Sequence, residues 1–100
     1  MNVYVAIGHF KDNKNITCVA LTQVTKKAFI ADCYGNEFVP YVVLTEKIFQ
    51  KIQSCPDSME IFKQVKKMTT NYRVWDDVTD YLCNCFDIVI NKVENAKVQG

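Results

Sequence analysis

The residue pattern changes at Thr45, and this change limits the folds open to the chain. Before Thr45, short runs of β-branched and aromatic residues alternate with polar turns. After Thr45, apolar residues recur every three or four positions in three successive segments, a pattern typical of amphipathic helices. The sequence therefore predicts an α+β fold, in which a small, mainly antiparallel N-terminal sheet in ββαβ order is followed by three helices.

The chain length also limits the number of domains. A chain of 100 residues is long enough for one hydrophobic core and too short for two. Hydrophobic residues make up 49% of the chain and charged residues 23%, which is the composition of an ordinary globular protein. We therefore expect residues 1–100 to form a single domain, with a β-rich half at 1–44 and a helical half at 45–97.

The β-rich half begins with an alternating segment at residues 2–10. It predicts a first strand, with Val3, Val5 and Ile7 facing one way and Tyr4 and Ala6 the other. The polar residues 11–15 predict a turn. The β-prone run 16–21 then predicts a second strand, which pairs with the first as an antiparallel hairpin.

Residues 22–34 are compatible with either a third strand or a helix. Thr22 is a suitable N-cap, and Gly35 followed by Asn36 is a suitable stop, so the helix is favoured. The apolar residues at helical spacing in this segment are Val24, Ala28 and Ala31.

Residues 38–44 return to a β pattern. Pro40 interrupts the first half of this run, and proline cannot donate a hydrogen bond to a sheet. The strand is therefore expected either to lie at an edge of the sheet or to begin only at Tyr41.

The first two helices of the second half have identifiable caps. Thr45 can cap a short helix that ends at residues 54–56. Asp57, with Glu60 three residues later, has the spacing of a capping box and predicts a second helix to about Met68. The predicted apolar faces are Ile48, Phe49 and Ile52 in the first helix, and Met59, Phe62, Val65 and Met68 in the second.

The third helix has the longest periodic pattern in the chain. It is predicted to begin near Tyr72 or Arg73 and to run to the mid-nineties, while residues 96–100 are expected to fray. Its predicted apolar stripe consists of Val74, Val78, Tyr81, Leu82, Cys85, Val89 and Val93.

Candidates for catalysis are few. His9 is the only histidine, so a nucleophilic cysteine paired with histidine would have to use it as the base. The cysteines considered as partners of His9 are Cys18, Cys33 and Cys55. Because no motif marks such a pair, no catalytic residue is assigned, and a thiol-dependent enzyme is only the third function considered.

No metal or cofactor site is predicted. Cys83 and Cys85 lie two residues apart within a predicted helix, so their thiols point in different directions and do not readily share a metal ion. Gly8, Gly35 and Gly100 are isolated, so the chain has no glycine-rich phosphate-binding loop. Cys85 fits a small buried residue on the apolar stripe, whereas Cys83 is a candidate for dimer formation on oxidation.

A basic patch is predicted on the second helix of the helical half. Residues 45–72 carry five lysines against three acidic residues, although the whole chain has a net charge of only +1. Lys63, Lys66 and Lys67 lie at helical spacing, away from the apolar face. This patch supports a nucleic-acid-binding accessory or regulatory protein as the alternative function, although a solvated helix face would show the same pattern.

An acidic and aromatic surface is predicted at the start of the last helix. Residues 73–100 carry five acidic residues against three basic ones. Aromatic residues beside charged ones are typical anchors of protein interfaces, while the helix macrodipole equally explains early acidic residues. The predicted partner-binding residues are Tyr72, Trp75, Asp76, Asp80 and Tyr81.

By elimination, the sequence favours a small non-enzymatic protein-binding module. Inhibition or regulation of a larger machine, of the kind that a phage or mobile element encodes, is a sub-hypothesis. The N-terminus resembles no signal peptide and no apolar run approaches about 20 residues, so we expect a cytoplasmic protein with reduced thiols and no membrane association. A homo-oligomer remains open because an exposed strand edge can pair with another chain.

Overall fold

The computed structural model describes residues 1–54, 57–68 and 74–99. It confirms the α+β class and the ββαβ order, with a three-stranded antiparallel sheet followed by helices. The elements are β1 (Asn2–Phe10), β2 (Asn13–Gln23), α1 (Lys26–Gly35), β3 (Phe38–Thr45), α2 (Glu46–Ser54), α3 (Ser58–Met68) and α4 (Trp75–Gln99).

β1 is the central strand, and both of its faces are buried. The sheet has the order β2-β1-β3, and both pairings are antiparallel. Val5 and Ile7 face a core that includes residues of α2, α3 and α4, whereas Tyr4 faces a smaller core under α1. In that smaller core, the ring of Tyr4 stacks on Phe29 with 5.5 Å between the ring centroids. The predicted alternation along β1 is therefore confirmed.

β2 is longer than the predicted strand at residues 16–21. The turn of the hairpin uses only Lys11 and Asp12, because Phe10 already pairs with Asn13. The strand therefore includes the polar residues 13–15, which the sequence predicts as part of the turn. These residues remain exposed, so their entry into the strand removes no charged group from water.

α1 is a helix, as predicted, but it begins later than Thr22. Thr22 pairs with Val3 in the sheet. Thr25 is the N-cap, and its Oγ1 accepts a hydrogen bond of 3.1 Å from the backbone N–H of Ala28. The prediction chose the wrong threonine because pairing with β1, a contact between distant parts of the chain, carries β2 past Thr22.

The apolar face predicted for α1 is also wrong. Val24 precedes the helix and is 63% exposed, and Ala31 is exposed within it. The buried residues are Phe29 and Cys33, which lie four positions apart and pack on the sheet.

β3 is an edge strand that includes Pro40, which confirms one of the two predicted alternatives. Pro40 pairs with Gly8, whereas Val42 pairs with Ile7. Tyr41 is therefore the extra residue of an irregularity in the ladder, of the kind that edge strands tolerate.

The cap residues of α2 and α3 are confirmed, whereas the predicted face of α3 is right at Val65 and Met68 and wrong at Met59. Thr45 Oγ1 accepts a hydrogen bond from the Ile48 N–H, and Asp57 Oδ1 accepts one from the Met59 N–H. Met59 itself is 61% exposed. The buried residues of α3 are Ile61, Gln64 and Val65.

Gln64 explains why part of the buried face of α3 was not predicted. Its amide nitrogen donates a hydrogen bond of 2.9 Å to the Glu60 carboxylate one turn earlier. Because that polar group has a partner, its burial costs less than the burial of an isolated amide. An apolar pattern cannot include such a residue.

α4 follows the predicted stripe and continues further than predicted. Val78, Leu82, Val89 and Val93 are buried as expected, and the start predicted at Tyr72 or Arg73 lies outside the described residues. The backbone of Cys85 is not helical, at φ −122° and ψ 25°, so the helix is kinked there. Fraying from Ala96 is contradicted, because Ala96 is only 6% exposed and Lys97 Nζ lies 2.9 Å from Glu46 Oε1.

The irregularity between β1 and β3 makes a test of the fold possible at Gly8. A Cβ at position 8 would overlap the carbonyl oxygen of Val39 and lie 2.9 Å from Pro40 Cα. We expect Gly8→Ala to lower the free energy of unfolding by about 1–3 kcal/mol in urea denaturation. Gly35→Ala is the matched control, because a Cβ there meets nothing within 4 Å. It should leave stability unchanged or raise it by up to about 1 kcal/mol, and equal losses in both variants would contradict the close approach.

Candidate functional site

α3 and the start of α4, which pack against each other, carry the two groups of charged residues singled out in the sequence. The three lysines of α3 are exposed, and so are the aspartates of the first turns of α4. Trp75 lies between them and is half-buried. We call this the α3–α4 surface and define it by Lys63, Lys66, Lys67, Trp75, Asp76 and Asp80.

The basic row of α3 meets α4 at Trp75. The ammonium nitrogen of Lys66 lies 5.0 Å from the centroid of the indole ring, within the range of a cation–π interaction. Phe62, one turn earlier on α3, packs edge-on to the same ring at 6.3 Å. Lysine and phenylalanine therefore hold the indole from α3, whereas the sequence analysis placed the basic patch and Trp75 on separate surfaces.

Two acidic residues form a strip in the first two turns of α4. At about 100° per residue, Asp76 and Asp80 project about 40° apart on α4. Both are exposed and lie within the first two turns of the helix, where the macrodipole stabilises negative charge. By the same geometry they project about 100° and 140° from Trp75, so the acidic strip lies around the helix from the indole.

Tyr81 lies on another side of α4 from Trp75. The two residues are six positions apart, which turns Tyr81 about 120° away from the indole and toward β2. Its hydroxyl donates a hydrogen bond to the Sγ of Cys18 at 3.4 Å. Burial, followed by the contact with Cys18, raises the pKa of Tyr81. The predicted surface residue Tyr72 lies outside the described residues.

A second polar contact joins α4 to β2 at the same cysteine. Lys92 Nζ donates a hydrogen bond of 2.7 Å to the carbonyl oxygen of Cys18. Cys18 is fully buried, and the two residues are 74 positions apart in the sequence. The sequence analysis missed this contact, because Lys92 resembles an ordinary lysine between apolar residues of a helix.

Cys18, Cys33 and Cys83 lack the environment of a nucleophile. Burial raises the pKa of Cys18 and raises that of Cys33 to about 11. The pKa of Cys83 is also raised, by partial burial and by the charge of Asp80. Because the thiolate is the reactive form, these shifts make all three thiols poorer nucleophiles. Cys55 lies outside the described residues.

His9 is engaged with its neighbours on the sheet. Its Nδ1 donates a hydrogen bond of 2.7 Å to the carbonyl oxygen of Phe10, and its ring lies 5.4 Å from that of Tyr41.

Among residues 1–54, 57–68 and 74–99, no group of three or more histidine, cysteine or acidic residues is placed to hold a metal ion.

Comparison of the chain with protein-family models, with curated proteins and with solved structures found no match. Within the part of the chain that the structure describes, no helix combines the length and the apolar character needed to cross a bilayer. The functional argument therefore rests on the geometry of the α3–α4 surface.

The environments of the cysteines predict an order of alkylation. We expect Cys83, which is exposed, to react with iodoacetamide before Cys18 and Cys33, which should react only after unfolding. Because the pKa of Cys83 is raised, its labelling rate should still increase with pH above about pH 9. Mass-spectrometric peptide mapping gives the order, with the urea-unfolded chain as control, and modification of Cys18 ahead of Cys83 would contradict this packing.

Proposed function

We propose that this chain is a small, non-enzymatic, cytoplasmic protein that binds another protein through the α3–α4 surface. The observation that carries the proposal is the position of Lys66 over the Trp75 ring, because it joins the basic row of α3 to the aromatic ring that begins α4. Tryptophan and charged residues around it are the residue types that most often dominate binding energy at protein interfaces.

The mixture of charges on the surface favours a protein partner over a nucleic acid. The lysines of α3 face the solvent, but Asp76, Asp77 and Asp80 follow Trp75 directly and are also exposed. A phosphate backbone requires an excess of positive charge, whereas α4 adds exposed carboxylates to the lysines of the neighbouring α3. A protein surface can match both signs at once, and that complementarity contributes to specificity and to the rate of association.

Trp75 is suited to act as an anchor because its surroundings already fix it. The indole contacts Phe62 and Lys66, and the carbonyl oxygen of Trp75 accepts a hydrogen bond of 2.7 Å from Thr79 Oγ1. A ring that is fixed before binding loses little conformational entropy when the partner arrives. Inhibition or regulation of a larger machine is the form of binding that we favour for a module of this size.

The acidic strip provides the test, because its residues are exposed and their replacement should not disturb folding. We expect Asp76→Lys with Asp80→Lys to abolish capture of the partner from a nuclease-treated lysate of the natural source. Quantitative mass spectrometry identifies the protein that the wild type enriches and the variant loses. The purified partner should then change the fluorescence of Trp75, the single tryptophan of the chain.

A variant with the same change in charge serves as the matched control. Asp12→Lys with Glu94→Lys replaces two exposed acidic residues outside the α3–α4 surface. It should capture the partner as the wild type does. The site assignment is wrong if both double variants lose the partner, or if the Asp76 and Asp80 variant retains it with an unchanged circular dichroism spectrum.

The exposed lysine row keeps nucleic-acid binding as the alternative function. That alternative requires an affinity for a DNA or RNA duplex that falls linearly with salt on logarithmic axes, by about 0.9 per phosphate contact on DNA. It also requires Lys63→Glu with Lys67→Glu to weaken binding and to flatten the salt dependence. We expect no measurable duplex binding at physiological salt in fluorescence anisotropy, and steep salt-dependent binding would replace the protein-binding proposal.

A further inference from the structure

An apolar cavity lies between the C-terminal turn of α1 and the sheet. Its volume is about 270 Å³, and its walls include Phe10, Val19, Leu21 and Phe38. The rings of Phe10 and Phe38 pack edge-to-face, with 5.1 Å between their centroids. Apolar walls of this kind are typical of small-molecule sites, and the volume limits the occupant to a small one. We call this space the α1 cavity.

The α1 cavity exists because α1 covers only part of one face of the sheet. Leu21 pairs with Tyr4, so its side chain lies on the face that α1 covers. α1 has only 10 residues and buries Phe29 and Cys33 against this face. Leu21 nevertheless stays 40% exposed, so the cavity opens to solvent along β2.

Asp32 places a carboxylate at the α1 cavity. The residue is half-buried and lines the cavity, and its Oδ2 accepts a hydrogen bond of 2.7 Å from Gln23 Nε2. Among the residues that the structure describes, no other group donates to this carboxylate and no basic side chain pairs with it. Because both oxygens of a carboxylate accept hydrogen bonds, Oδ1 is available to a ligand.

The charges of α1 oppose the dipole of the helix. Lys26 and Lys27 begin the helix, and its first turn has no acidic residue. Asp32 lies in the last turn, which has no basic residue. This arrangement is the reverse of the one that the macrodipole stabilises. Such departures from local rules, which cost stability, are expected at functional sites. A cation bound at Asp32 would offset the charge of the carboxylate and the negative end of the dipole together.

We propose that the α1 cavity binds a small primary amine with an apolar body. The ammonium group donates to Asp32 Oδ1, and the body packs against Phe10 and Phe38. An anion would face an uncompensated carboxylate, and a hydrated metal ion would find too few oxygen ligands between these walls. The cavity and the α3–α4 surface lie on opposite faces of the sheet, so the proposal does not depend on the proposed function.

NMR titration with phenethylamine and with hexylamine tests the site and its location. We expect saturable shifts of the backbone amides of Leu21, Cys33 and Phe38, with a dissociation constant of about 1 mM or below. Phenylethanol, which has no charge, should bind at least about ten-fold more weakly, and phenylpropionate should not bind.

Three results of the titration would overturn the proposal. The first is that neither amine produces saturable shifts, and the second is that phenylethanol binds as tightly as phenethylamine. The third is that the shifts centre on Leu82 and Phe86, which line a separate cavity between α2, α3 and α4.

Asp32→Asn tests the carboxylate, because asparagine keeps the shape of the side chain and an acceptor for Gln23. We expect it to bind phenethylamine at least about ten-fold more weakly than the wild type and to bind phenylethanol equally well. Without ligand, its thermal midpoint should equal or exceed that of the wild type, since a charge that opposes the dipole is removed.

Asp87→Asn is the matched control, because it removes an exposed carboxylate of α4 outside the α1 cavity. It should bind phenethylamine as the wild type does. Undiminished binding by Asp32→Asn, or an equal loss in both variants, would overturn the role of Asp32. A lower thermal midpoint of Asp32→Asn would show that the carboxylate serves the stability of α1, and it would also count against the proposal.

Discussion

The fold depends on the burial of β1 from both sides. Residues 3–7 of this strand are all at most 7% exposed, and their side chains alternate between two separate cores. A strand of this kind is stable only when apolar layers cover both faces. α1 supplies one layer, and α2, α3 and α4 supply the other. The positions of the remaining elements follow from this requirement.

The two helical layers that cover the sheet differ in size and in their positions along the chain. α1 follows the hairpin directly and contributes Phe29 and Cys33 to a small core. The larger core takes residues from three helices, and α4 alone contributes Val78, Leu82 and Val89. The α3–α4 surface exists because α3 and α4 must pack side by side to cover this larger face. The contact between Lys66 and Trp75 is a consequence of that packing.

Much of the fold was predictable because its signals are local. The period of two in β1, the caps at Thr45 and Asp57, and the stripe of α4 all involve residues close in sequence. The wrong predictions concern features that depend on contacts between residues distant in the sequence. Pairing with β1 extends β2 beyond Thr22, and packing against α4 turns α3 so that Gln64 is buried and Met59 is not.

The same distinction applies to the candidate site. The sequence singled out the lysines of α3 and the acidic residues of α4, but local patterns cannot show how two helices approach each other. The contact of Lys66 with Trp75 therefore appeared only in three dimensions, and so did the turn of Tyr81 toward Cys18. Lys92 gave no signal in the sequence at all, because its partner is a backbone oxygen 74 residues away.

The order of the two helical layers along the chain has a consequence for synthesis on the ribosome. The hairpin, α1 and β3 are complete once residue 45 has emerged, so one face of the sheet can be covered early. The other face of the sheet is fully covered only after α4, the last of the elements, has been synthesised. During that interval the nascent chain presents Val5, Ile7 and Leu44 to its surroundings, and such transiently uncovered apolar surfaces are those that chaperones bind.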